Sequence, residues 1–390
     1  MSKISIDLGT SNTQIACLDT NGQPKNIGGI IPTVLYVDSE ANRIHVGQAA
    51  VYAYENALHA KKENASSYYL ENFKPELCQA QVTPDDLTVL TGVDGKLMTW
   101  LQVLTACFSY FRRFAMENEF AGAEVNEIVL THPVDFPNIE LYRQAALNAG
   151  FKTVDFVQEP EAAYHGYKVG GRNLGNKVLV FDMGGGTLDV ALLEQVNGAW
   201  SVRNQPLRLD TAGCHIDWAI CESLQNELSE AGLLSNSDDV ASFIKYAREQ
   251  IKEPLGSGVL DAARIRYMSD VTDGRLKGTY TRERFYRVLD GLLVPVFRTI
   301  KSYVNGLPQS PDTVLMVGGS SRLSYVKDKL EKLFSGIKVF SPADGGSLVA
   351  KGAMLVATAP PVVPIISAPD DQSRVEPTRP DLDVRLFMKF

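Results

Sequence analysis

Val178-Leu179-Val180-Phe181-Asp182-Met183-Gly184-Gly185-Gly186-Thr187-Leu188-Asp189-Val190-Ala191-Leu192 is an apolar run that turns on consecutive glycines and leaves as a second apolar run. The pattern predicts a hairpin built to hold phosphate. Without side chains at the turn, backbone N–H groups can face an anion, while a flanking hydroxyl and carboxylates handle phosphate oxygens and a metal. Working outward, the same arrangement recurs at the N-terminus in Ile4-Ser5-Ile6-Asp7-Leu8-Gly9-Thr10-Ser11-Asn12-Thr13-Gln14-Ile15-Ala16-Cys17-Leu18: β-run, Asp-x-Gly, hydroxyl, β-run. Two such hairpins far apart in sequence predict two similar lobes, each contributing one phosphate-binding turn to a shared cleft.

The overall numbers agree with two lobes. At 390 residues and 45% hydrophobic content, the chain exceeds what one core usually supports. A net charge of −8 argues against a general nucleic-acid binder or an anionic-membrane binder, although it leaves room for a local basic patch. The cysteines, five in number and without a Cys-x-x-Cys pair, fit a reducing compartment. With no apolar leader and no apolar stretch long enough to span a bilayer, the expectation is a cytoplasmic protein.

The paired turns resemble those of the actin, hexokinase and heat-shock chaperone ATPase superfamily. Within it, Asp7 to Asn12 and Asp182 to Asp189 most resemble the seventy-kilodalton heat-shock chaperones of the DnaK type. The resemblance continues in order from Lys3 to Thr358. It implies an α/β, two-lobed actin-like ATPase fold with duplicated ribonuclease-H-like cores and an inserted subdomain in each lobe. The expected divisions are a first lobe over 1–176 with its insert at about 51–100, and a second over 177–342 with its insert at about 218–280. A crossing helix over 343–359 and a proline-rich tail over 360–390 would follow.

The same resemblance implies ATP or ADP with Mg as ligands and a site drawn from several segments. Asp7 and Asp182 would order magnesium through its waters, with the cleft carboxylate Glu159 of Glu159-Pro160-Glu161-Ala162-Ala163 supporting that shell. Gly9, Thr10, Ser11, Gly184, Gly185 and Gly186 would hold the β-phosphate. Lys74, rather than its neighbours Lys61 and Lys62, would join Thr187 in placing the γ-phosphate and the attacking water. Glu249-x-x-Lys252 resembles the helix that grips adenosine, and Gly318, Gly319, Ser320 and Arg322 match the adenosine motif. Gly256 and Glu253 depart from it by replacing a serine and an arginine.

Other stretches read more plainly. Leu97, Leu101, Leu104, Phe108 and Phe111 have the helical spacing of a buried stripe, as do Val240, Phe243, Ile244, Ala247 and Ile251. Cys214, His215, Asp217 and Cys221 match no familiar metal spacing and read as the start of an amphipathic helix. Pro133 resembles the proline of the family's nucleotide-coupling turn, and Arg143 is a candidate for its arginine, at an unusual offset. At the end of the chain, Leu382, Val384, Leu386, Met388 and Phe390 alternate as in a half-buried strand, which would add to a sheet edge.

The chaperones append a peptide-binding domain, and only the tail follows Thr358 here. The expected function is therefore a stand-alone, slow regulatory ATPase, a molecular switch whose lobe closure is read by a protein partner or co-chaperone. An actin-like filament former, or less directly a sugar or acetate kinase, is the alternative; Glu-Pro-x-Ala-Ala and the adenosine helix favour the chaperone branch.

Overall fold

The computed structural model describes residues 2–358 apart from 63, 170–172, 197–198 and 343–344. The expected tail and its terminal strand lie outside the described residues. Two mixed sheets carry the fold. In the first, β1 (Ser2–Leu8), β2 (Asn12–Leu18), β3 (Pro24–Asn26), β4 (Val125–His132) and β5 (Thr153–Gln158) lie in the order β5-β4-β1-β2-β3. In the second, β6 (Lys177–Met183), β7 (Leu188–Val196), β8 (Ala199–Val202), β9 (Thr313–Val317) and β10 (Lys338–Phe340) repeat that order as β10-β9-β6-β7-β8. In both, the first strand is antiparallel to the second and parallel to the fourth. The duplication is one of topology, not only of motif.

Each sheet is covered on both faces, which is why its central strands are near-continuously apolar. Ile4, Ile6 and Leu8 enter the first lobe's core, and Leu179, Phe181 and Met183 enter the second's. The opposite face of β6, through Val178 and Val180, shares a third cluster with Ala162, Tyr164, Leu348 and Val349. That cluster contains α2 (Glu159–Lys168) and the crossing helix α6 (Leu348–Thr358), so the lobes are joined through two helices rather than by direct sheet contact.

Helix boundaries follow local chemistry with one correction to the sequence reading. Helix α1 spans Trp100–Asn118 and begins at a reciprocal cap: Gln102 N–H donates to Thr99 Oγ1 at 3.3 Å and Thr99 N–H to Gln102 Oε1 at 2.9 Å. Leu97 therefore lies before the helix, on the strand Leu97–Thr99, and is exposed; Trp100, Val103 and Cys107 complete the buried stripe with Leu104, Phe108 and Phe111. The cap, not the apolar spacing, sets where the helix starts.

Farther along, α3 (Gly213–Ser223), α4 (Ser237–Ala247) and α5 (Arg282–Asn305) cover the second lobe. Away from the central cluster the two lobes meet again. Lys245 pairs with Glu55, His59 Nδ1 lies 3.5 Å from Asp270, and Val271 packs on the cluster around Tyr54. No helix among the described residues is long and apolar enough to cross a membrane.

Candidate functional site

The two hairpin turns have the same backbone construction. Register places Asp7 opposite Gln14 and Asp182 opposite Asp189, and the turn closes with Gly9 N–H to Asn12 O at 3.1 Å in one and Gly184 N–H to Thr187 O at 3.0 Å in the other. They face each other across the lobes. A Cβ added at Gly185 would overlap Ser11 Oγ, and one at Gly186 would sit 2.8 Å from Thr10 Cγ2 and 2.5 Å from Pro75 Cγ. The glycines are thus required by the approach of the other lobe, in addition to any ligand.

Lys74 begins a short helix, Lys74–Leu77, beside these turns. It is buried and donates to Glu159 Oε1 at 2.7 Å, the first residue of α2. Lys62 instead pairs with Glu40 at 3.0 Å, and Lys61 is exposed. Burial alone would lower the Lys74 ammonium, but Glu159 and then Asp7 hold it above its ordinary value, so it stays protonated.

Four carboxylates, Asp7, Glu159, Asp182 and Asp189, act on one another in this region, and Glu159, Asp7 and Asp182 also act on the lysine. Asp7 accepts from Thr131 Oγ1 at 3.0 Å, and Asp189 accepts from Arg208 Nε at 2.8 Å. Burial pushes Asp7 up to about 6, with Glu159 adding to it and Lys74 opposing. For Asp182, burial and then Glu159, Asp189 and Asp7 raise the carboxyl well above its ordinary range, against Lys74. When ionised, Asp7, Glu159, Asp182 and Asp189 outnumber Lys74 and Arg208 by two negative charges. A divalent cation matches that excess. Among the described residues no group of three His, Cys, Asp or Glu side chains is placed to ligate an ion directly.

A second group of residues adjoins the Gly184 turn. Gly213 N–H donates to Gly184 O at 3.1 Å and Cys214 N–H to Gly185 O at 2.7 Å, which fixes the start of α3 against the turn. Lys252 Nζ reaches Gly213 O at 3.2 Å and pairs with buried Asp217 at 2.6 Å; Arg248 takes the other Asp217 oxygen at 2.9 Å. A Cβ at Gly213 would overlap Ser320 Oγ. At Gly318, φ is +84° and a Cβ would meet Asp182 Oδ1 at 2.5 Å, so only glycine fits there.

Not all expected residues converge. Glu249 and Lys252 lie on a five-residue π-turn, Arg248–Lys252, that follows α4 directly. Its wider turn leaves Glu249 exposed while Ile251 and Lys252 are buried. Arg322 is exposed, and Gly319 borders open space. Arg143 donates to Val154 O at 2.9 Å and lies over Phe156. Pro133 lines a recess with Val134, Glu159, Pro160, Asp182 and Asp189. His215 is a cap: its Nδ1 accepts from Ala212 N–H at 3.3 Å, and burial lowers its pKa, keeping the ring neutral for that role.

Sequence reasoning weighed Asp217 only as a metal ligand, and did not single out Thr131, Asp189, Arg208 or Asn72, which accepts from Ser11 Oγ at 3.2 Å. Asp189 had a usable signal in its hairpin position opposite Asp182. The others are brought in by packing and carry none. A family model described as Hsp70 protein matches residues 3–360.

Proposed function

The chain belongs to the Hsp70 family, whose members are ATPases of the chaperone type with the two-lobed actin-like fold, and on that premise we propose that it binds Mg-ATP between the lobes and hydrolyses it slowly, as a switch read by a protein partner. The observation that carries this reading is the meeting of the two turns, Thr10 and Ser11 against Gly185 and Gly186, beside the Lys74–Glu159 pair. In this reading, backbone N–H groups of Gly9, Gly184, Gly185 and Gly186, with Thr10 and Ser11, hold the β-phosphate. Gly318, Gly319 and Ser320 lie along adenosine, and Lys252, fixed by Asp217, stands behind the phosphate turn. Glu249 and Arg322 reach the nucleoside from exposed positions at the rim.

Asp7 and Asp182 would hold magnesium through water, with Glu159 supporting that shell. When bound, magnesium neutralises phosphate charge. Lys74 offsets the charge of the γ-phosphoryl group, while the Thr187 hydroxyl orients the attacking water. The new bond joins water oxygen to the γ-phosphorus, the bond to the ADP oxygen breaks, and the products are ADP and phosphate. Most of the acceleration comes from positioned charge that needs no rearrangement during the reaction.

Titration calorimetry with Mg-ATP and Mg-ADP tests the binding; absence of heat with either overturns it. Thr187→Ala should lower turnover about a hundredfold with ADP affinity nearly unchanged, because its contact is made at the reacting group. Phosphate release without any sugar or acetate acceptor separates this reading from a kinase, and absence of ATP-dependent sedimentation separates it from a filament former.

Lobe closure also involves the distant Lys245–Glu55 pair, in which both side chains are about half exposed. Glu55→Lys replaces attraction by repulsion across the lobes. The expected result is faster ADP release, several-fold at low salt and less at high salt, measured by displacement of a fluorescent nucleotide.

A further inference from the structure

The antiparallel ribbon Ala262–Met268 and Arg275–Thr281 alternates strictly on its first strand: Ala263, Ile265 and Tyr267 are buried, while Ala262, Arg264, Arg266 and Met268 face out. On the second strand Leu276 and Tyr280 go in, and Arg275, Lys277 and Thr279 go out. One face of the ribbon therefore shows Arg264, Arg266, Arg275 and Lys277 and no carboxylate. Arg266 lies directly opposite Lys277. Like charges in that position destabilise a sheet. Among the described residues none of the four cations has an ion-pair partner, on a chain whose net charge is −8. Met268, 60% exposed, adds an apolar contact directly opposite Arg275.

We propose that this face docks a short acidic segment of a partner protein, bound extended across the ribbon. Charge complementarity selects an anion, and the surroundings limit its length. Asp261 and Glu283 are exposed beyond one end of the ribbon, and Asp270 lies beyond the other. A nucleic-acid backbone running past either end meets those carboxylates, whereas a peptide of a few residues does not. Residues two apart on a strand are about 7 Å apart, so carboxylates at alternate positions of an extended peptide match Arg264 and Arg266 in spacing. The surface stands whether or not the cleft turns over nucleotide.

The test is fluorescence anisotropy of a labelled ten-residue peptide with Glu at alternate positions and one Leu, against an oligonucleotide of equal charge, at low and physiological salt. The expected result is saturable peptide binding that weakens with salt, exceeds oligonucleotide binding, and falls at least tenfold in Lys277→Glu. That variant faces Arg266 with an opposite charge, so its melting temperature should equal or exceed that of the parent, which separates lost binding from lost folding. Lys277→Gln should give an intermediate loss. No peptide binding, binding unchanged in both Lys277→Glu and Arg264→Glu, or tighter binding of the oligonucleotide would each overturn the proposal.

Discussion

Lys74→Ala should lower ATP turnover by about a hundredfold or more while ADP affinity changes little, and should also destabilise the chain. Two effects meet at this residue. If the ammonium acts on the γ-phosphoryl group, its loss is felt in the transition state and not in ADP binding. Independently, Lys74 is buried against Glu159 at 2.7 Å, and removing one partner of a buried pair costs about 3–5 kcal/mol because the remaining charge has no compensation. Lys74→Met combined with Glu159→Gln isolates the effect on stability, Glu159 being itself part of the proposed magnesium shell. With both charges gone, thermal stability should recover most of the loss, whereas turnover should stay low. Recovery of turnover in that double variant would assign Lys74 to architecture alone. Unchanged turnover in Lys74→Ala would remove the lysine from the chemistry.

Gly352→Ala should be among the most destabilising single-methyl additions in the chain. A Cβ there would overlap Ala162 O and lie 2.6 Å from Gly166 N, and the converse addition at Gly166 would overlap Leu348 O. Both obstacles are backbone, so no side chain can swing away. Helices α2 and α6 would have to separate, opening the cluster that joins the lobes and displacing Glu159 at the start of α2. Alanine gains up to about 1 kcal/mol over glycine in helix propensity, but overpacking of this kind costs about 1–3 kcal/mol or more, and the backbone position puts it at or above the upper end. The measurement is thermal unfolding beside Gly291→Ala. That residue lies inside α5 with no atom within 4 Å of the added carbon, so propensity acts alone and the melting temperature should rise. A melting temperature for Gly352→Ala equal to the parent's would mean that α2 and α6 have room that their crossing does not show.

The legible parts of this protein are those whose chemistry is local. Asp-x-Gly followed by a hydroxyl, between two β-branched runs, encodes a hairpin turn within a dozen residues, and its repetition implies two equivalent lobes. Gly318-Gly319-Ser320 at a strand end is equally local, and so is the 3.6-residue stripe of Phe243, Ile244, Ala247 and Ile251, all of which are buried. Where the reading slipped, a competing interaction had shifted the phase. Thr99 and Gln102 start α1 after Leu97, and the π-turn at Arg248–Lys252 inserts one residue into a helical period, parting Glu249 from Lys252.

The sequence by itself determined the duplicated turns and the two-lobed architecture, because each follows from the conformational limits of a short run of chain. Only the tertiary structure decided the partners. Thr131 meets Asp7 from 124 residues away and Glu159 meets Lys74 from 85, while Arg248 and Lys252, one helical turn apart, converge on Asp217 in the neighbouring helix α3. Ion pairs and hydrogen bonds act over a few ångströms in space and are indifferent to distance along the chain. No local pattern can encode them, and the electrostatic state of the cleft exists only once the lobes have closed it off from water.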